Sequence, residues 1–379
     1  MSANLLIGDE CMQSLLPSME KAADAIKTAL SSQRPVFVRF HDDCDGITSA
    51  ISIYKACLLF QQANKLPAKT GDGFPTLSSR QTDSAILEVR QAFEDRRKFG
   101  GCSQKPLFVF LDHAANYESA EAVGELKSSG VGIIIVDHHP PAKEAAELAD
   151  VFVSSHQFDA SGGHTAGLLS FEIARMISPE PSHIPEEWAW WSLQGDKSKL
   201  AAHRSDDEPV AIDYLAQYSE KGESAGYYLE KLEDKLALDL SVKLARQAET
   251  RALEHSHAHC SAVKAENGFF VVECELGKIQ HGEYPSKGKL LTLIHLQKSR
   301  ELGGPVVSLG WDEEFLSVRA NTAAAEKGFR AGLVIEQLKQ EFPQDVKSGG
   351  GHDVAASLRV RKTSVKKVAD RFAELAGRA

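Results

Sequence analysis

The chain has 379 residues, 42% hydrophobic and 25% charged, which is room and composition for two or three globular domains. Its 43 basic and 53 acidic residues leave a formal charge of −10, which excludes a protein that coats duplex nucleic acid through a general basic surface. No apolar stretch approaches the ~18 residues of a membrane span. The six cysteines are scattered without Cys-x-x-Cys spacing, which argues against a disulfide framework or zinc ribbon, and for a reducing cytosol.

In chain order, residues 10–33 predict an amphipathic helix leading into an apolar run, Pro35–Phe40, that reads as a buried strand. The run stops on His41-Asp42-Asp43-Cys44-Asp45-Gly46, and Ile47 onward reads as the start of a helix. Residues 62–105, polar and broken by Gly71, Gly73, Pro75, Gly100 and Gly101, read as helix and loop. A second apolar run, Pro106–Leu111, ends at Asp112, and a helix follows Ala114. A third, Val131–Val136, ends at Asp137-His138-His139. Next come a helix near Lys143–Leu148, a short strand Val151–Val153, and a longer helix that Thr165 can cap after Ser161-Gly162-Gly163. Alternating β and α units predict an α/β domain over residues 1–212 with a doubly wound, mostly parallel sheet. Residues 213–260 alternate Leu and Ala with charged residues and read as a helical connector. From 261 to 379 the pattern predicts a smaller α/β domain. Its strands are Phe269–Glu273, Pro305–Leu309, Phe315–Arg319 and Val354–Val360, with a helix Phe329–Glu341 and a loop Gly349-Gly350-Gly351-His352.

Three strands thus each stop on acid, or on acid plus histidine. In a parallel sheet such ends share one edge, where ligands bind. Carboxylates crowded there repel one another unless a cation neutralises them. The candidate ligands are His41, Asp43, Asp45, Asp112, His138 and Asp196, the last in Leu193-Gln194-Gly195-Asp196. Mixed carboxylate and imidazole donors suit Mn²⁺ or another hard-to-borderline ion better than a structural zinc. So many carboxylates suggest two ions, which together activate water and stabilise charge on phosphorus. That explains why no Ser, Cys or Thr nucleophile motif stands out. Cys44, between two ligand aspartates, is expected to point away from the ions.

These motifs, His-x-Asp-x-Asp-Gly, a lone Asp, Asp-His-His, a later Asp and a distal Gly-Gly-Gly-His, resemble the DHH phosphoesterase superfamily. More narrowly, they resemble its RecJ-like and oligoribonuclease-like branch with a C-terminal DHH-associated domain, over about residues 34–360. The resemblance implies that His41 and Asp43 hold one ion, that Asp45, His138 and Asp196 hold the other, and that Asp112 bridges them. It implies that His139 faces the scissile phosphate, Asp137 orients the neighbouring histidines, and the active site lies in a cleft between domains. Arg319, Gly349, Gly350, Gly351 and His352 are then expected to bind substrate, and His164, before a helix N-terminus, is a further candidate. The second-strand element, Asp112-His113-Ala114-Ala115-Asn116, departs from the Asp-x-Gly of many relatives.

The activity so implied is that of a cytoplasmic phosphodiesterase, dependent on two Mn²⁺ ions with Mg²⁺ as the substitute. It would remove nucleotides from the end of single-stranded DNA or RNA, or from short oligonucleotides. Two alternatives are a small-molecule phosphoesterase acting on cyclic or linear dinucleotides or 3′-phosphoadenosine phosphate, and a non-catalytic, GINS-binding replisome component of the Cdc45 type. Loss of metal ligands would mark the second, and every expected ligand is present. Trp188, Trp190 and Trp191 read as core packing more than as base-stacking groups.

Overall fold

The computed structural model describes residues 5–66, 105–115, 117–159, 163–201, 205–218 and 224–377. The helix and loop expected within 67–104, and Asn116, Ser161 and Gly162, lie outside the described residues. The chain divides into two compact units, Met1–Val242 and Lys243–Ala379.

The first unit is built on four strands, β1 (Val36–Phe40), β2 (Leu107–Leu111), β3 (Gly132–Val136) and β4 (Val151–Val153), all parallel and in spatial order β1-β2-β3-β4. Around it lie α1 (Glu10–Ser31), α2 (Cys44–Ala63), α3 (Tyr117–Ser128), α4 (Lys143–Leu148), α5 (Ala166–Ile177), α6 (Glu186–Gly195), α7 (Asp207–Tyr218) and α8 (Ala225–Glu233). Period-two alternation sends strand residues to opposite faces. Val36, Val38, Phe40, Val109, Leu111 and Ile134 pack with α1, α2, α5 and α6, whereas Phe37, Phe108, Phe110, Ile133 and Ile135 pack with Val123 and Leu126 of α3. Both faces are therefore buried, as continuous apolar strands require. Trp188 belongs to the first of these cores.

Register positions the site. Phe40 pairs with Leu111 and Leu111 with Val136, so the three strands end level and the next residues are His41, Asp112 and Asp137. The helices that flank this edge are capped locally. Asp43 caps α2 and Thr165 caps α5, each side chain accepting a backbone N–H of the first turn.

A long helix, α9 (Lys235–Ser256), contains the boundary between the units. The second unit adds β5 (Cys260–Lys264), β6 (Phe270–Glu275), α10 (Leu276–Ile279), α11 (Lys287–Leu302), β7 (Val306–Trp311), β8 (Phe315–Ala320), α12 (Thr322–Glu326), α13 (Ala331–Glu341), β9 (Val346–His352), β10 (Ala355–Val360) and α14 (Val365–Ala376). Its sheet runs β5-β6-β7-β8-β10-β9, antiparallel except for β6 and β7. Helices α13 and α14 cover one face, and α11 covers the other. No helix among the described residues is long and apolar enough to cross a membrane.

Two expectations are corrected. The Gly349-Gly350-Gly351-His352 segment is not a loop but the end of β9, an edge strand paired antiparallel with β10. Its glycines had suggested a turn, yet two of them serve close strand approach. A Cβ on Gly349 would lie 2.4 Å from Leu358, and one on Gly351, where φ is +145°, would lie 2.4 Å from the Ala355 carbonyl. Cys260 and Cys274 form a disulfide, against the expectation drawn from scattered cysteines. They face each other as register partners across β5 and β6, a strand pair that begins where the connector helix was expected to end.

This packing predicts that Gly351→Ala costs about 2 kcal/mol or more, from left-handed strain and the backbone clash. Gly350→Ala, where a Cβ meets open space, should stay within about 0.5 kcal/mol. Urea unfolding midpoints of the two variants check this, and equal midpoints would contradict the strand geometry.

Candidate metal centre

The first motif wraps tightly. Asp43 accepts from Gly46 N at 3.0 Å through Oδ1, and its Oδ2 lies 2.7 Å from His41 Nδ1. A Cβ on residue 46 would sit 2.1 Å from the His41 carbonyl oxygen, so only glycine permits the turn. Asp45 points the other way, into the start of α5. Its carboxylate accepts from Ala166 N at 2.9 Å, Gly167 N at 2.6 Å and Ser192 Oγ at 2.6 Å, the arrangement a helix N-terminus offers an anion. Gly167 is required here too, since a Cβ would fall 2.5 Å from Ser192. Asp213 on α7 braces the motif from outside, accepting from Cys44 N at 3.1 Å, and the Cys44 thiol donates to the Trp191 carbonyl at 3.4 Å.

Asp112, at the tip of β2, lies between two groups. Its Oδ2 is 3.4 Å from His41 Nδ1, and its Oδ1 is 3.3 Å from His138 Nε2 and 3.5 Å from His139 Nδ1. His138 Nε2 also lies 3.0 Å from Asp196 Oδ2 and 3.4 Å from Asp45 Oδ2. Three sets of donor atoms converge within 4.8 Å: His41, Asp43 and Asp112; Asp45, His138 and Asp196; and Asp112, His138 and His139. All six sequence-predicted ligands are thus brought together, with Asp112 in contact with both groups.

The donor set fits a divalent ion. Asp112 Oδ1 and His41 Nδ1 are buried atoms close to polar neighbours yet aligned in no hydrogen bond among the described residues. Donor atoms gathered this closely can share one ion. Burial, then repulsion from Asp112 and Asp196, pushes the Asp45 carboxyl well above the usual range, and burial with Asp43 raises that of Asp112. Burial opposes charge on His41, but Asp43 and Asp112 outweigh it and push its pKa up to about 11. His138 is likewise raised against burial, by Asp112, Asp196 and Asp45. Protons on these rings are the charge that a cation would displace. The thiol of Cys44, turned to Trp191, adds no soft donor.

Asp137 organises the neighbouring histidine. Its Oδ1 accepts from His139 N at 3.0 Å and meets His139 Nδ1 at 2.8 Å, while Oδ2 accepts from Ala115 N at 3.2 Å. The bond to Nδ1 raises the His139 pKa, and the ring is half exposed whereas His138 is not. His113, next to Asp112, is buried, and desolvation pushes its pKa down to about 4.

The remaining sequence candidates are held as follows. His164 is buried, with Nε2 2.7 Å from Asp9, the cap of α1, and Nδ1 3.5 Å from Asp159. Arg319, on β8 of the second unit, donates to Thr292 Oγ1 and Ser317 Oγ at 3.0 Å and to its neighbour Val318 O at 2.8 Å. Gly349, Gly350, Gly351 and His352 lie on β9. Sequence reasoning missed Asp213, Ser192 and Gly167 as braces. Only Gly167 carried a signal, a glycine two places after the capping Thr165.

A family model described as the DHH family N-terminal domain matches residues 35–191. An uncharacterized protein of Methanocaldococcus jannaschii is 28% identical over 98% of this chain and 55% of its own length, so the chain spans about half of that relative. Among solved structures, the DHH domain of a member of the S1p family of ribosomal proteins aligns with TM-score 0.85 at 24% identity, covering 99% of this chain and 94% of that one. RecJ of Thermus thermophilus, in complex with Mn²⁺, aligns with TM-score 0.61 at 15% identity, covering 96% of this chain and 55% of that one.

Electrostatic crowding predicts opposite effects of one substitution. Asp112→Asn removes a repelled charge, so the metal-free protein should melt a few degrees higher, about 2–4 °C per kcal/mol relieved. The rise in melting temperature on adding Mn²⁺ should vanish. Thermal melts with EDTA and with Mn²⁺ check both, and a retained Mn²⁺ shift would remove Asp112 from the centre. Gly46→Ala should abolish the Mn²⁺ shift as well, by forcing the first motif off His41.

Proposed function

Starting from residues 35–191 as a DHH-family N-terminal domain, we propose that the chain is a divalent-metal-dependent phosphodiesterase that shortens single-stranded nucleic acid or oligonucleotides from an end. The supporting observation is the meeting of six ligand residues in two groups that share Asp112. His41, Asp43 and Asp112 would hold one ion, and Asp45, His138 and Asp196, with Asp112, the other. Mn²⁺ fits this oxygen and imidazole set, and Mg²⁺ is the natural substitute. Bound there, such ions lower the pKa of water and neutralise charge gathering on a phosphorus centre.

The chain's own residues supply the rest. Asp137 fixes the His139 ring through Nδ1, leaving Nε2 available to a phosphate oxygen. The carboxylate favours the protonated form of the ring, and in that form the ring would steady the developing charge and give its proton to the leaving oxygen. Asp45 is held by fixed N–H groups and a hydroxyl, so its orientation needs no rearrangement when charge moves. The backbone of β9, with Gly349, Gly350, Gly351 and His352, and the guanidinium of Arg319 are the groups we assign to the substrate's phosphate or sugar. The complete ligand set favours an enzyme over a GINS-binding, Cdc45-like component.

End-labelled DNA, RNA and dinucleotides incubated with the protein and Mn²⁺, and resolved by size, test this reading. Stepwise shortening of single strands is expected; turnover of dinucleotides alone would move the assignment to a small-molecule phosphoesterase. His139→Gln should lower kcat roughly 10²–10⁴-fold while leaving Mn²⁺ affinity near wild type. Asp112→Ala and His138→Ala should abolish both, and full turnover by either would sink the assignment.

A further inference from the structure

Arg319 stands half-buried on β8, with Ser308 of β7 as its register partner. Its guanidinium donates to neutral oxygens alone. Nε meets Thr292 Oγ1 at 3.0 Å, while Nη1 meets Ser317 Oγ at 3.0 Å and the Val318 carbonyl at 2.8 Å. Nη2 has one long contact, 3.5 Å, to the Gly288 carbonyl. No carboxylate among the described residues pairs with Arg319, and burial pushes its pKa down. A half-buried cation without a counter-ion is costly, and an anion brought to Nη2 would offset that cost.

The bond at Nε crosses from helix to sheet. Thr292 lies on α11 between Leu291 and Ile294, which are buried in one core with Val272 of β6 and Val306 of β7. Its hydroxyl donates to the Gly288 carbonyl one turn back at 3.0 Å, so a lone pair of the same oxygen accepts from Arg319. Valine has the same shape and can do neither. A Cβ on Gly288 would stand 3.8 Å from Nη2, which puts the first turn of α11 beside the guanidinium edge that keeps its donors. We propose that Thr292 is a positioning residue, holding the Arg319 guanidinium so that Nη2 meets a phosphate oxygen of the nucleic-acid strand. It acts through Arg319 and touches no substrate itself. The inference rests on the assignment of Arg319 to substrate made above.

The test measures binding of fluorescein-labelled oligothymidylate to the full chain by anisotropy, in EDTA so that no strand is cut. Thr292→Val should bind about 3–10-fold more weakly, the loss expected when the ligand must immobilise a long side chain that was ordered beforehand. Thr292→Ser keeps the hydroxyl and should restore most of the affinity. Added to Arg319→Ala, Thr292→Val should cause no further loss, because the pair acts as one unit. Full affinity in Thr292→Val, or no rescue by serine, would overturn the role. So would an equal loss in the Arg319→Ala background, which marks a packing effect of α11. If Arg319→Ala binds as tightly as wild type, or wild type does not bind, the assignment of Arg319 fails and this inference falls with it. A loss in Arg319→Ala with none in Thr292→Val removes the inference alone.

Discussion

Like charges held together against their repulsion are the constraint on which the first unit depends. Asp43, Asp45, Asp112 and Asp196 converge at one sheet edge, three of the four arriving from strand tips that end level or from the turn just beyond. In water they would separate. Here the parallel register, the glycine at position 46 and the start of α5 leave them no room to do so. The fold retains this cost, as sites prepared for a cation do. Asp112 has the hardest position, since each of its oxygens belongs to a different group and its backbone is left-handed.

Much of this was legible in the sequence because two signals coincide. Apolar runs of five or six residues mark buried strands, and charged residues directly after them have only the sheet edge to occupy. The short strand β4, helix α4 and the Thr165 cap were read at their observed places. What was not legible is the bracing. Asp213 lies 169 positions from the Cys44 amide it accepts from, inside an ordinary helix. Left-handed backbone at Asp112 and Ala114 gives no sign in residues that are not glycine. The expected distribution of ligands between two ions came from family resemblance rather than spacing; the structure adds that Asp112 faces both groups of donors.

The second unit shows where pattern fails. Its strand β5 is exposed along almost its whole length, so it carries no burial period, and the sequence assigned those residues to the end of a helix and its flank. Helix α11 buries only Leu290, Leu291, Ile294 and His295, a stripe too sparse to stand out among lysines. The glycine run misled for a related reason. Glycine signals close backbone approach as readily as it signals a turn, and at Gly349 and Gly351 the close approach is between strands.

The thiol of Cys44 sits between two ligand aspartates and yet faces a main-chain oxygen of α6. That orientation matters to which donors the edge can offer an ion. Zinc and copper outcompete manganese at most protein sites, most decisively where sulfur is offered. With its sulfur turned to the main chain, the first motif presents only oxygen and imidazole donors at this edge, without the soft ligand that thiophilic ions prefer.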